Sequence, residues 1–196
     1  MPRKQHAVLG LGLLTILAAL TAAACSDIPD PARYTYLFQP SYAQFTSGAA
    51  PLAASPCTAS GSVGVHTFLE NQCGTLDCHG QTGRPFRLFS VNGLRAESDA
   101  GLSRFAPLTA DELYANYLSA VGLEPEEMSR VVVGDDSPTA LLIVKKPRLI
   151  EHHKGGKKMS QGDPEDTCLT SWLADPAHFE GVSFDSACCD EAGQVP

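Results

Sequence analysis

The chain has 196 residues, 43% of them hydrophobic and only 18% charged, with a net charge of −8. That length holds one domain of ordinary size with appendages. An acidic balance argues against a general nucleic-acid binder, which needs a basic face to neutralise phosphates. No GxGxxG or Walker-type loop is present, and no run of 18 apolar residues lies beyond the N-terminus, so dinucleotide folds and an internal membrane span have no support.

Arg3 and Lys4 open the chain, Ala7 to Leu20 is almost purely apolar, and Thr21-Ala22-Ala23-Ala24 precedes Cys25. A basic start, a short apolar core and small residues before a cleavage point read as a secretory signal over residues 1–24. Removing it takes two of the fourteen basic residues and none of the 22 acidic ones. Small residues directly before Cys25 resemble the lipobox of bacterial lipoproteins, with Ala22 where Leu is usual. The resemblance implies lipidation of Cys25 and stable membrane attachment. Ser26 rather than Asp after the cysteine implies an exported, outer-membrane lipoprotein facing the periplasm.

Residues 25–60 are rich in Pro, Ala, Ser and Thr and read as a lipid-anchored tether. Tyr34, Tyr36, Phe38, Tyr42 and Phe45 interrupt it and are placed to pack on the domain surface. From Ser62 to Gln72, Val65, Phe68 and Leu69 fall on one helical face. Phe86–Ser90 and Arg130–Val133 are short runs that suit a small two-stranded β element. Thr109-Ala-Asp-Glu112 is a capping box, and Ala110, Leu113, Tyr114, Tyr117, Leu118 and Val121 follow at helical spacing. Ser137-Pro138 starts another helix, which Pro147 stops after Lys146. Asp163-Pro164-Glu165 starts the last one, ending near Ala174, with Leu169, Trp172 and Leu173 on one face. The expected class is mainly α with long loops.

Seven cysteines stand at 25, 57, 73, 78, 168, 188 and 189. An odd count in an exported chain asks for one special cysteine, and lipidation of Cys25 supplies it. If Cys73 and Cys78 form a site, Cys57, Cys168, Cys188 and Cys189 remain for two disulfides. A bridge between the adjacent Cys188 and Cys189 would strain their peptide. Cys57 therefore takes one of that pair and Cys168 the other, in either order, and the bridges hold a tail of residues 176–196.

Residues 73–80 read Cys-Gly-Thr-Leu-Asp-Cys-His-Gly, a C-x4-C-H motif. In C-x-x-C-H two thiols add across haem vinyl groups and the following His binds iron. The two extra residues can bulge outward without changing the Cys78–His79 end. A local Cys73–Cys78 disulfide and a zinc site are the competing readings. Exported chains rarely keep free thiolates for zinc.

The surroundings resemble c-type cytochromes, especially the planctomycete-type cytochrome c domain. Gly64-x3-Phe68-x4-Cys73 is similar to the family's first helix, in which Gly permits a close crossing and the aromatic packs on the last helix. Gly80-Gln-Thr-Gly-Arg-Pro85 resembles the Gly-rich passage after the haem motif, which implies a Pro85 carbonyl accepting the His79 ring proton. Ser137-Pro-Thr-Ala-Leu-Leu, His153-Lys-Gly-Gly and Cys168-Leu-Thr-Ser-Trp172-Leu are similar to the closing segment. The resemblance covers residues 61–175 and implies a small helical domain wrapped around one covalent haem c. Cys73 and Cys78 would be its thioether anchors and His79 its proximal ligand. His152, His153 and Met159 are the distal candidates; His153 is favoured and Met159 is its main alternative.

Lys145, Lys146, Arg148, Lys154, Lys157 and Lys158 cluster within 14 residues. They suit a solvated loop, haem propionates, or steering of an acidic redox partner; Arg84 and Arg87 are alternative propionate partners. The function this implies is electron transfer in the cell envelope with an unknown redox protein, without enzymatic activity. The rival is a haem-free, disulfide-stapled lipoprotein that acts as a binding or structural module.

Overall fold

The computed structural model describes residues 37–47, 57, 63–96, 106–174 and 183–194. All belong to one unit running from Leu37 to Pro196. The signal segment, Cys25, Tyr34 and Tyr36 lie outside the described residues.

The unit is mainly helical. In chain order come α1 (Tyr42–Thr46), α2 (Val65–Cys73), α3 (Ala110–Val121), α4 (Pro125–Val132), a 3-10 turn (Pro138–Ala140), α5 (Leu142–Lys145), α6 (Pro164–Leu173) and α7 (Ser186–Gly193). No described helix is long and apolar enough to cross a membrane. Among the described residues extended pairing is limited to two isolated bridges, Ser47 with Val63 and Phe89 with Leu94. The expected two-stranded element is therefore absent there. Arg130 to Val132 is helical instead, because Pro125 at the first position and Glu126 and Glu127 in the first turn start α4 upstream. Met128, Val131 and Val132 then fall on one buried face.

The core is built on four aromatic rings. Phe45 lies 5.4 Å from Trp172 and 5.6 Å from Tyr117, ring centre to ring centre, and Tyr117 is 6.5 Å from Trp172. Phe68 is fully buried in the same cluster. A buried indole N–H or phenol O–H needs a partner. Trp172 Nε1 donates to the Ser41 carbonyl at 2.9 Å, and the Tyr117 hydroxyl donates to the Pro40 carbonyl at 2.9 Å. Residues 37–47 are thus part of the folded unit, although their composition suggests a tether. Gly64 has a different task from the helix crossing that the resemblance implies. A Cβ there would sit 2.2 Å from the Phe45 carbonyl oxygen, so this glycine admits the α1 segment.

Two expected elements shift in detail. On α3 the capping box forms with both of its bonds, but Tyr114 and Leu118 are 51% and 44% exposed. The buried face instead carries Glu112, Asn116, Tyr117, Ala120 and Val121. Periodicity of apolar residues misplaces the face because two of its members are polar groups with full sets of partners. The helix expected from Ser137 is broken at Leu141, which is extended. The Leu142 N–H turns to the Glu124 carboxylate rather than to an upstream carbonyl. The last expected helix forms as Pro164–Leu173, with Asp163 capping the Asp166 N–H at 3.1 Å.

The tail returns as α7. Cys57 bridges Cys188 and Cys168 bridges Cys189, one of the two orders open from sequence. The neighbouring cysteines of α7 thereby tie it to α6 and to the segment before α2. Asn71 Nδ2 donates to the Gly193 carbonyl at 2.6 Å, which joins α2 to the end of α7. The two bridges span sequence separations of 131 and 21. Loop-closure entropy grows with loop length, and removing a native bridge costs about 2–5 kcal/mol. Cys57→Ser with Cys188→Ser should therefore lower unfolding free energy in denaturant more than Cys168→Ser with Cys189→Ser. Equal midpoints for wild type and both double variants would refute this.

Glu112 offers a second test. Burial alone would push its carboxyl up, but hydrogen bonds from Arg95, from the Thr109 and Ala96 N–H groups, and the Arg95 charge bring it from 4.5 down to about 2. Arg95 Nε stands 2.9 Å from Glu112 Oε1, and the acid's side chain is fully buried. A depressed folded value gives stability that is complete above the unfolded pKa and is lost as pH falls towards the folded one. Unfolding free energy should decline by about 2–4 kcal/mol between pH 5 and pH 2 from this group. In Glu112→Gln, denaturant melts should start lower at neutral pH and lack this part of the acid decline; an unchanged acid limb would contradict the assignment.

Candidate functional site

The end of α2 forms one wall of a cleft. Gly74 closes the helix with its N–H on the Glu70 carbonyl, and the chain then folds back on itself. Cys78 N–H and Gly80 N–H both bond the Thr75 carbonyl, at 3.0 and 2.9 Å, and His79 N–H returns to the Cys73 carbonyl at 3.0 Å. Residues between the cysteines bulge outward, leaving Leu76 52% exposed. Glycine is required in this turn: a Cβ on Gly80 would lie 2.1 Å from the Gly74 carbonyl oxygen.

Cys73 and Cys78 are both free thiols, the first buried and the second half-buried. Burial is the main cause that pushes the Cys73 thiol up to about 12, with Lys158 pulling it down and Cys78 adding to the rise. At neutral pH Cys73 is therefore uncharged.

His79 stands on the same turn. Its Nδ1 lies 2.7 Å from the Phe86 carbonyl, one residue beyond the Pro85 carbonyl that the resemblance implies. Burial lowers its pKa; the Phe86 bond raises it, and His153 and Arg84 lower it further, with a net downward result. A carbonyl only accepts, so Nδ1 carries the proton and Nε2 keeps a free lone pair. His153 repeats the arrangement from the other side: its Nδ1 lies 2.9 Å from the Gly156 carbonyl. Its loop is closed at the base by Lys158 N–H on the Pro147 carbonyl, 2.8 Å. Gly156 has φ +74°, a conformation that glycine adopts without strain.

The two imidazole rings have centres 6.2 Å apart and planes inclined by 18°. An imidazole nitrogen lies roughly 1.15 Å from its ring centre and a metal–imidazole bond is about 2.0–2.1 Å, so two imidazoles bound to one metal from opposite sides have centres about 6.3–6.5 Å apart. The observed centre-to-centre distance of 6.2 Å is close to that range. No group of three or more His, Cys, Asp or Glu gathers as a metal site among the described residues. A haem iron asks for only two protein ligands.

Two cavities, about 280 and 220 Å³, both reach Cys73, His79, Arg84 and His153. The larger is rimmed by Asp77, Lys154 and Lys158. The other is walled by Phe68, Leu69, Phe86, Leu142, Ile143 and Leu169. One end is cationic and the other apolar, as an amphiphilic planar group with an anionic edge requires. The residues present fit a haem.

The remaining candidates divide clearly. Met159 is 2% exposed within the core and lines neither cavity. His152 is exposed, and its carbonyl accepts from Lys146 Nζ. Arg84 lines both cavities, whereas Arg87 lines neither and lies over the Phe89 ring, 5.0 Å from its centre. Of the basic cluster, Lys146, Lys154 and Lys158 reach the cavities, and Arg148 is spent on Asp166, Nε to Oδ1 2.7 Å.

Sequence reasoning missed the anchors of the strap that supplies the Phe86 carbonyl. Asn116 accepts from the Phe89 N–H at 2.6 Å and donates to the Phe89 carbonyl at 2.8 Å, and Ser119 Oγ accepts from the Arg87 N–H at 2.9 Å. Helical periodicity counts such residues as solvent-facing. The Gly156 carbonyl was foreshadowed only by the paired glycines after His153. No protein-family model matches the chain, and no curated protein and no solved structure matches it either.

Proposed function

We propose that the chain is a monohaem c-type cytochrome that transfers electrons in the bacterial cell envelope. The observation that carries this reading is the pairing of His79 and His153 across a cleft. Each ring's Nδ1 is committed to a backbone carbonyl, and two free thiols stand beside them. Cys73 and Cys78 would hold the group by adding each S–H across a vinyl double bond, sulfur to one carbon and hydrogen to the other, with nothing released. They stand apart from the four cysteines that pair with one another, which supports a use other than a disulfide. An oxidising compartment would otherwise be expected to join them.

Bound haem supplies a one-electron couple. His79 and His153 would hold the iron, and the Phe86 and Gly156 carbonyls fix the orientations of their rings. Arg84, Lys154 and Lys158 are placed to balance propionate charge. The wall from Phe68 to Leu169 excludes water. If both histidines bound the iron, no open position would remain for a substrate, which favours electron transfer over catalysis. Two imidazoles also give a lower potential than an imidazole–thioether pair. The lipobox-like run before Cys25 supports attachment to the outer membrane facing the periplasm, with an unidentified redox protein as partner.

Protein matured in an export-competent host should keep a haem stain after denaturation, and Cys73→Ala with Cys78→Ala should abolish it. His153→Ala should turn the ferric spectrum from low-spin to high-spin or open it to added imidazole. Met159→Ala should leave the spectrum low-spin while costing about 2–5 kcal/mol of stability, because it empties a core position. A colourless wild type would end the haem reading. A low-spin spectrum lost in Met159→Ala and kept in His153→Ala would replace His153 by Met159.

A further inference from the structure

The turn that leaves α5 carries two apolar side chains that the fold does not need. Leu149 N–H bonds the Lys146 carbonyl and Ile150 N–H bonds the Lys145 carbonyl, each at 3.0 Å. This is the bond pair of a Schellman turn, and Leu149 takes its left-handed position with φ +60°. Glycine is the residue that this position ordinarily takes, and Leu149 is the only non-glycine residue with positive φ among those described. In such turns the next residue, here Ile150, usually packs on an apolar residue five places back. That place is Lys145, and Ile150 stays exposed even though the buried Val144 precedes it. Leu149 is 47% and Ile150 62% exposed, the latter the highest value among the large apolar side chains described.

The charges around this turn are mostly basic, with Glu151 beside Ile150 as the exception. Lys145 and Lys146 form its entry, and Lys157 and Lys158 return at its foot through the Lys158 to Pro147 bond; Lys154 lies between. Among the described residues Glu151 is the one acid paired with any of these lysines, at 3.8 Å from Lys146. The rest of the chain is acidic enough to leave a net charge of −8.

We propose that the 145–158 loop is a membrane-seating element: Leu149 and Ile150 enter the interface of an anionic phospholipid bilayer while Lys145, Lys146 and Lys157, which are not the lysines set against the propionates, engage its headgroups. A protein partner is the less suitable occupant. Protein interfaces are depleted in Lys, and their strongest contacts come from Trp, Tyr and Arg rather than Leu. Aliphatic tips among lysines suit an anionic lipid surface, where each lysine adds attraction and its stem can lie along the apolar layer. Because the same loop carries His153, seating would turn that side of the cleft toward the bilayer. Nothing in the seating depends on haem.

The test places photo-crosslinking p-benzoylphenylalanine at Ile150 in the full chain, and at Tyr114 as an equally exposed control on α3. Each protein is mixed with phosphatidylglycerol or phosphatidylcholine vesicles and irradiated, and lipid adducts are counted by mass spectrometry. The expected result is a yield at position 150 at least about fivefold above that at position 114 with phosphatidylglycerol. It should fall several-fold with phosphatidylcholine, in salt of about 0.5 M where screening is short-ranged, and when Lys145 and Lys157 are changed to Gln. Equal yields at the two positions would overturn the proposal, as would a yield at position 150 indifferent to lipid charge or to the lysines. An anchor or leader that holds the chain on vesicles raises both positions together and so cannot imitate the expected pattern.

Discussion

Everything at the cleft depends on two hydrogen bonds, each from a histidine Nδ1–H to a backbone carbonyl. A free imidazole exchanges its proton between two nitrogens and turns about its χ angles. Bonded to Phe86 O at 2.7 Å or to Gly156 O at 2.9 Å, it has one tautomer, one orientation and one available lone pair. Backbone carbonyls serve well here because their positions are set by the chain on both sides. The burden of precision therefore passes from the histidines to the segments that carry those carbonyls.

Both segments are held at several points. The strap through Phe86 is fastened to α3 by Asn116 and Ser119, to α2 by Glu70 through the Val91 N–H at 3.0 Å, and to His79 itself through the Leu88 N–H at 2.9 Å. The Asn116 amide meets both the N–H and the carbonyl of Phe89 and so adds to the single bridge this segment makes with Leu94. On the other side Arg148 pairs with Asp166, whose second oxygen accepts from the Gly162 N–H at 2.8 Å. That buried pair ties the start of the His153 loop to α6 and the run into α6. The aromatic cluster and the two bridges of α7 then fix α2 relative to α6. The wall bearing Cys73 and the loop bearing His153 thus belong to one rigid frame.

Local chemistry was legible in the sequence where it is self-contained. The Thr109 box, the Asp163 cap and the stop at Ala174 each depend on a few adjacent residues, and each forms as its pattern implies. The cysteine arithmetic reduced the pairings to two, but the choice between them depends on where α7 lies, which no local pattern records. The same reason accounts for the misread face of α3. Glu112 and Asn116 look like surface residues until Arg95 and the Phe89 strap arrive from elsewhere in the chain. The segment 37–47 reads as a tether because Pro, Ser and Gln dominate it, yet its carbonyls complete Trp172 and Tyr117 from over 70 residues away.

The choice between His153 and Met159 shows the same division between composition and placement. By residue type both are competent ligands, and only six positions separate them. What separates them physically is hydrophobicity acting on a closed loop. The Pro147 carbonyl accepts from both Lys158 and Met159 N–H groups, so the chain re-enters the protein at that point. An uncharged thioether arriving at a closing core gains by burial, and Met159 is drawn inside it. His153, six residues earlier, stands where Gly155 and Gly156 let the backbone turn under its ring and supply the carbonyl that orients it. An imidazole kept half-exposed on such a turn can meet His79, whereas a methionine buried to secure the base of the loop cannot leave without opening it. The loop uses its methionine as an anchor, and that use leaves the histidine to face the cleft.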